Sequence, residues 1–144
     1  MISSVVQFAA ISILLGIGSV LDIKTREIPN WISVFIALFA VINFRPENLW
    51  GLVVAAVFFV TALVTGKIGG GDVKLIAALS VVCGLWGSFL LLLFAQISML
   101  IFYAGNYFFC KINGKTASKT LPFVPFIFIG YLCSALIFLK GIWQ

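Results

Sequence analysis

The chain has 144 residues, of which 63% are hydrophobic and 9% are charged. An average globular domain is about half apolar and about a quarter charged, so this composition excludes a soluble globular domain and indicates a polytopic membrane protein. The net charge of +5 does not indicate nucleic-acid binding, because the lysines and arginines are spread over short segments and form no basic patch.

Apolar runs separated by charges, Pro, Gly and Asn predict six membrane spans. A span needs about 20 mainly apolar residues, and such runs form helices because lipid offers backbone groups no other partner. The spans lie at roughly 4–22, 30–44, 49–66, 73–87, 88–110 and 121–141. The second and fourth are short, so they either extend through polar ends or lie against other helices without crossing the full bilayer. We therefore expect an all-α, polytopic membrane protein in which residues 1–144 form one membrane-embedded domain.

Positive charges are distributed unevenly over the predicted loops. Two of them, Arg45 and Lys140, lie on one side of the membrane, and seven lie on the other. The seven are Lys24, Arg26, Lys67, Lys74, Lys111, Lys115 and Lys119. Because cytoplasmic loops carry an excess of Lys and Arg, we expect the second side in the cytoplasm and both termini outside. Asp22 and Asp72 then fall on the cytoplasmic side.

The acidic residues are few, and two of them stand out by position. The four are Asp22, Glu27, Glu47 and Asp72. Asp22 and Asp72 each lie where an apolar span meets a polar turn, and an ionisable group at the edge of the apolar slab is costly. Taken singly, each carboxyl is explained equally well as a cap or anchor of a helix end. Taken as a pair on one face of the membrane, the two indicate a functional site.

Three glycines precede Asp72 in the stretch IGGGDVKL. Glycine permits close approach of backbones, so we expect Gly69–Gly71 to press against another segment. Asp72 is expected to be the N-cap of the following helix, whereas Asp22, which ends an apolar span, is expected to be partly buried. Two carboxyls in different environments suit general acid–base hydrolysis: one takes a proton from water, and its protonated partner hydrogen-bonds the substrate carbonyl. Which of the two carries the proton stays open.

Two motifs carry a resemblance to a known family. The patterns D-x-x-x-x-x-I-P-N, from Asp22 to Asn30, and G-x-G-D-x-K, from Gly69 to Lys74, together resemble the type IV prepilin peptidases. The chain is thereby also similar to archaeal preflagellin peptidases, and it shares the GxGD element with presenilin and signal peptide peptidase. The stretch LPFVPF, 121–126, is similar to a proline-containing segment that opens the last span in that family.

The resemblance implies a membrane aspartyl protease that needs no metal and no cofactor. Its catalytic residues are then Asp22 and Asp72. Active-site support is expected from Gly69, Gly71 and Lys74, and substrate contacts are expected from Glu27, Pro122 and Pro125. The implied substrate is a prepilin or pseudopilin of a type IV pilus or protein secretion system. Its short basic leader is cut at the cytoplasmic face of the bacterial inner membrane.

The family that the two motifs resemble has long and short members. Long members carry an N-terminal cytoplasmic loop and also methylate the new N-terminus. Here the first span starts at once, so we expect the short, peptidase-only form, as in tight-adherence (Flp-type) pilus systems. The main alternative is a small transporter or channel subunit in which Asp22 and Asp72 bind protons or cations. The pilin, the cleavage site and the oligomeric state stay open.

Overall fold

A computed structural model describes residues 2–42, 44–66, 68–112 and 121–139, and all regular secondary structure in these ranges is helical. The α-helices are α1 (Ile2–Thr25), α2 (Asn30–Ile42), α3 (Gly51–Thr65), α4 (Gly70–Ile112) and α5 (Val124–Leu139), with a 3₁₀ turn at Pro46–Trp50 before α3. The all-α prediction is confirmed. Lys67, Lys115, Lys119 and Lys140, which entered the charge count, lie outside the described residues.

Three described segments are long and apolar enough to cross a membrane. They are Val5–Thr25, Pro46–Thr65 and Gly70–Ile112. The helices at Asn30–Ile42 and Val124–Ile137 are equally apolar in character but shorter. Because many large apolar side chains also remain exposed on the outside of the bundle, length, composition and surface together describe a membrane protein.

The helix α4 folds back on itself at Gly84. Gly84 has φ 70° and ψ −173°, a backbone conformation that is essentially restricted to glycine. The Ser88 hydroxyl donates to the Gly84 carbonyl at 2.6 Å and lies 3.4 Å from the Ser80 carbonyl oxygen. In a straight helix, residues eight apart are about 12 Å apart along the axis. We therefore treat α4 as a hairpin with a first arm, 70–83, and a second arm, 85–112. The predicted division between 87 and 88 was wrong by a few residues.

One end of the bundle is closed by contacts around this turn. The Asn48 side-chain amide donates to the Val82 carbonyl at 3.3 Å, and Gly51 lies directly against the carbonyl oxygen of Ser80 and the backbone of Gly84. A Cβ atom on Gly51 would overlap that oxygen. We call this region, formed by Asn48, Gly51, Ser80 and Gly84, the closed end. Here the start of α3 and the α4 hairpin pack backbone on backbone.

All five helices contribute to one buried apolar cluster. Its fully buried members include Ile11 and Leu15 of α1, Ile32 and Ile36 of α2, Leu75, Leu79 and Leu91 of α4, and Val124 and Ile127 of α5, and Ala55 of α3 joins them. This cluster fixes the helices relative to one another. At the end opposite the closed end, it brings together the last turn of α1 and the first turns of α4 and α5. We call this the open end.

Candidate active site

A cavity of about 310 Å³ lies at the open end. Its wall is formed by Asp22, Arg26, Glu27, Ile28, Asn30, Gly69, Gly70, Gly71 and Asp72. The two sequence motifs, which lie far apart along the chain, therefore form a single surface. Besides Ile28, the cavity is lined by charged and polar side chains and by three glycines, whereas the buried core of the bundle is overwhelmingly apolar.

Asp22 is held in place by the beginning of α5. Its side chain is only 6% exposed, and its Oδ2 accepts a hydrogen bond from the Val124 backbone N–H at 2.9 Å. A buried carboxyl is costly unless it is hydrogen-bonded. Because Val124 is the first residue of α5, the carboxyl satisfies a backbone donor that has no partner within its own helix. The expected partial burial of Asp22 is confirmed.

Asp22 lies in the last turn of α1, which ends at Thr25. Arg26 adopts a left-handed conformation with φ 56°, and its N–H donates to the Asp22 carbonyl at 3.0 Å. A left-handed residue that donates back into the last turn is a common helix C-terminus. The chain then turns through Ile28 and Pro29 into α2. This short connection places Arg26, Glu27 and Ile28 beside Asp22 in the cavity wall.

Asp72 lies in the first turn of α4 and not before it. The predicted N-cap position was therefore wrong, because α4 begins within the glycine stretch, at Gly70. The Asp72 N–H donates to the Gly69 carbonyl at 3.1 Å, and the Asp72 carboxyl is hydrogen-bonded to the Gly69 backbone. This reciprocal pairing resembles a capping box. Asp72 is half-buried and close enough to Asp22 for their charges to interact.

The glycine stretch presses against the loop that follows α1. A Cβ atom on Gly71 would lie 3.1 Å from the Cβ of Ile28 and 3.4 Å from its carbonyl oxygen. Such distances are closer than ordinary van der Waals contact, so a side chain at this position would push the two walls apart. Gly70, by contrast, has open space where a side chain would be. The close approach predicted for the stretch is thus made by Gly71.

The remaining predicted residues divide into two groups. Glu27, Gly69 and Gly71 line the cavity. Lys74, Pro122 and Pro125 are not among the lining residues. Lys74 is exposed, and its Nζ donates to the Asn30 side-chain oxygen at 3.1 Å. This hydrogen bond joins α4 to the start of α2 beside the cavity.

Two features of the site were not predicted from the sequence. Val124 lies between the two prolines that were singled out, and it is its backbone N–H that reaches Asp22. A backbone donor leaves no signal in a sequence, so only the fold reveals it. Arg26 in the cavity wall was counted solely as a loop charge. Asn30 belonged to the quoted motif, and the structure adds its contact with Lys74.

The geometry suits hydrolysis by a carboxyl pair. One carboxyl is buried and hydrogen-bonded, its partner is half-buried, and both line the same cavity. Among the described residues, no group of three or more His, Cys, Asp or Glu side chains is placed to hold a metal ion.

The sequence profile of the type IV leader peptidase family matches residues 9–104. The matched region contains both motifs, Asp22 to Asn30 and Gly69 to Lys74, and it ends before α5. Neither the search of curated proteins nor the search of solved structures found a match.

Proposed function

The chain belongs to the type IV leader peptidase family, and from that membership we propose that it is an aspartyl endopeptidase that removes the leaders of prepilins or pseudopilins. The observation that carries the proposal is the presence of Asp22 and Asp72 in the wall of one cavity. Family membership supports peptidase activity, and the carboxyl pair supplies the chemistry.

In the proposed reaction, one ionised carboxyl takes a proton from a water molecule as that water attacks the scissile carbonyl carbon. The other carboxyl is protonated and donates to the carbonyl oxygen, which becomes a hydroxyl group. When the tetrahedral intermediate collapses, the carbon–nitrogen bond breaks, the carboxyl that took the water proton passes it to the leaving amine, and one hydroxyl of the intermediate returns its proton to the ionised carboxyl. Because two nearby carboxyls titrate as a pair, a single shared proton provides both the base and the acid.

The proposed substrate is a precursor whose short basic leader precedes an apolar helix. Glu27 lies in the cavity wall and offers a negative charge to the leader. The surplus of positive charge on the loops at this end supports a cytoplasmic position for the cavity. We propose that cleavage takes place at the cytoplasmic face of the bacterial inner membrane, in a tight-adherence (Flp-type) pilus system.

The test is cleavage of candidate Flp-type prepilins by the detergent-solubilised protein, read by gel shift and N-terminal sequencing. Asp22→Asn and Asp72→Asn keep the side-chain size and remove the acid–base function. Each is expected to lower kcat/KM by about a thousandfold or more, since groups that act as a unit fail together. Glu47→Gln is the matched control, because Glu47 is exposed and lies next to the closed end.

Either of two results would count against the proposal. Near-normal cleavage by a folded Asp22→Asn or Asp72→Asn variant would exclude the carboxyl pair. A wild-type protein that cuts no prepilin at its leader junction would exclude the substrate class. Circular dichroism and thermal unfolding of each variant separate loss of catalysis from loss of fold.

A further inference from the structure

A second cavity lies on the outer surface of the bundle, between α3 and the second arm of α4. Its volume is about 590 Å³. It is lined by Val53, Val54, Val57, Phe58 and Thr61 of α3 and by Phe89, Leu92, Leu93 and Gln96 of α4. On each helix these residues recur three and four positions apart, which places them on one face. The cavity is therefore a groove that runs parallel to the helices, and we call it the α3–α4 groove.

Gln96 is the unusual residue of the α3–α4 groove. It is exposed, and within the described residues it has no hydrogen-bond partner. The other polar side chain, Thr61, is satisfied within its own helix, where its hydroxyl donates to the Phe58 carbonyl at 2.7 Å. Gln96 lies twelve residues after Gly84 and Asp72 lies twelve residues before it, so each is about 18 Å from the turn along its own arm of the α4 hairpin, and the two lie at a similar level.

The carboxamide of Gln96 restricts what fills the groove. A carboxamide in hydrocarbon is costly without a hydrogen-bond partner, and a lipid acyl chain has neither a donor nor an acceptor. Polar side chains inside membranes commonly hydrogen-bond across helices. The composition of the groove thus fits an apolar helix that presents one polar group to Gln96.

Contacts connect the groove to the candidate active site. The Phe58 ring stacks on the Phe123 ring, with centroids 5.9 Å apart and an interplanar angle of 7°. Phe123 directly precedes Val124, whose N–H holds Asp22. An occupant of the groove therefore contacts Phe58, whose ring stacks on the residue next to Val124.

We propose that the α3–α4 groove binds the apolar helix of the substrate, just beyond the cleavage site. This inference rests on the proposed function. A protease cuts extended backbone, and unwinding the end of a helix within lipid leaves N–H and C=O groups unpaired. The Gln96 carboxamide is both a donor and an acceptor, so it pairs with such a group while the groove holds the apolar face of the helix.

The first experiment fills the groove. Val57→Trp places a large side chain in it, and Ile13→Trp is the control on an equally exposed position of α1 (61% and 64% exposed). For a precursor that the wild-type protein cleaves, Val57→Trp is expected to raise KM about tenfold and to change kcat by less than about twofold. Ile13→Trp is expected to leave both constants unchanged. Gln96→Leu keeps a similar side-chain size and is expected to raise KM about fivefold, with partial rescue by Gln96→Asn.

The second experiment identifies the occupant. A photo-crosslinking amino acid at position 57 or 13 is combined with Asp72→Asn, which holds the precursor uncut, in phospholipid nanodiscs. The proposal expects an adduct with the precursor from position 57 and none from position 13. An adduct between two copies of this chain, or lipid adducts alone, would overturn it. The groove proposal would also be overturned if the groove variants had the wild-type KM on a precursor that the wild-type protein cleaves. Absence of wild-type cleavage would instead overturn the proposed function.

Discussion

At the closed end, Gly51 lies against the carbonyl oxygen of Ser80, and no space remains between the start of α3 and the α4 hairpin. At the open end, Gly71 lies close to Ile28 but less tightly, and a cavity of about 310 Å³ opens beside it. Both ends use a glycine to bring two segments together. The closed end joins apolar helices by backbone contact, whereas the open end brings polar groups to one surface.

Because the two ends differ in this way, substitutions at the closed end are expected to affect stability, and substitutions at the open end are expected to affect activity. Contacts at the closed end involve backbone atoms that have no freedom to move aside, so changes there act on the fold. Contacts at the open end set the distance between Asp22 and the first turn of α4, so changes there act on the cavity. Substitutions of similar size at the two ends are therefore expected to affect different measurements.

The largest expected effect is that of Gly51→Ala. Its Cβ would overlap the Ser80 carbonyl oxygen, and overpacking against rigid backbone costs about 3 kcal/mol or more. We expect a clear fall in Tm, or loss of folded protein from the membrane fraction. Gly16→Ala in α1 is the control, since that position has open space and alanine is the better helix former. A Gly51→Ala protein with the wild-type Tm would show that the closed end is looser than described.

Next in size is the effect of removing the donor to Asp22. Val124→Pro deletes the backbone N–H, and proline is well tolerated at the first position of a helix. A hydrogen bond to a charged group contributes about 1.5–3 kcal/mol, so kcat/KM is expected to fall about 10- to 100-fold. Val124→Ala keeps the N–H and loses only buried side-chain packing. Equal losses of activity in the two variants would argue against a role for the donor.

A smaller effect is expected from widening the cavity wall. Gly71→Ala brings a Cβ to 3.1 Å from Ile28, which moves the loop after α1 away from Asp72. We expect about a tenfold fall in kcat/KM with a loss of stability near 1 kcal/mol. Gly70→Ala is the neighbouring control, because nothing lies within 4 Å of its Cβ position. If both variants keep full activity, the spacing of the two walls does not limit cleavage.

The smallest effect is expected at the hydrogen bond between Lys74 and Asn30. It is exposed and 3.1 Å long, so its contribution is about 0.5–1 kcal/mol. Lys74→Met and Asn30→Ala are each expected to lower activity about two- to threefold, and the double variant no further, as a double-mutant cycle would measure. Fully additive losses would mean that the two side chains act independently.

Much of the fold was predictable because apolar runs in a chain this hydrophobic have few alternatives to membrane helices. The turn inside α4 was placed less well. Gly84 and Gly87 both lie in the same apolar run, and hydropathy does not indicate which of them takes the positive φ. The contacts of Asn48 and Gly51 decide it, and these come from a distant part of the chain.

The candidate site was likewise predictable from the sequence only in part. Asp22 and Asp72 were found from the sequence because ionisable groups are rare in apolar surroundings. The start of α4 was misplaced because glycine is a poor helix former, and tertiary packing against Ile28 overrides that preference at Gly71. The hydrogen bond from Val124 to Asp22 was not predictable, since its donor is a backbone N–H and the two residues are 102 positions apart in the chain.

The length of α2 has a consequence for how the bilayer meets the protein. Its 13 residues span about 20 Å, roughly two-thirds of a typical hydrocarbon core. A helix this short that crosses the bilayer would produce hydrophobic mismatch, which lipids relieve by thinning locally around it. Because α2 begins at Asn30 in the cavity wall, that thinning would bring headgroups and their water towards Asp22 and Asp72. The proposed hydrolysis consumes one water molecule for each bond broken, and a membrane thinned beside α2 would supply that water.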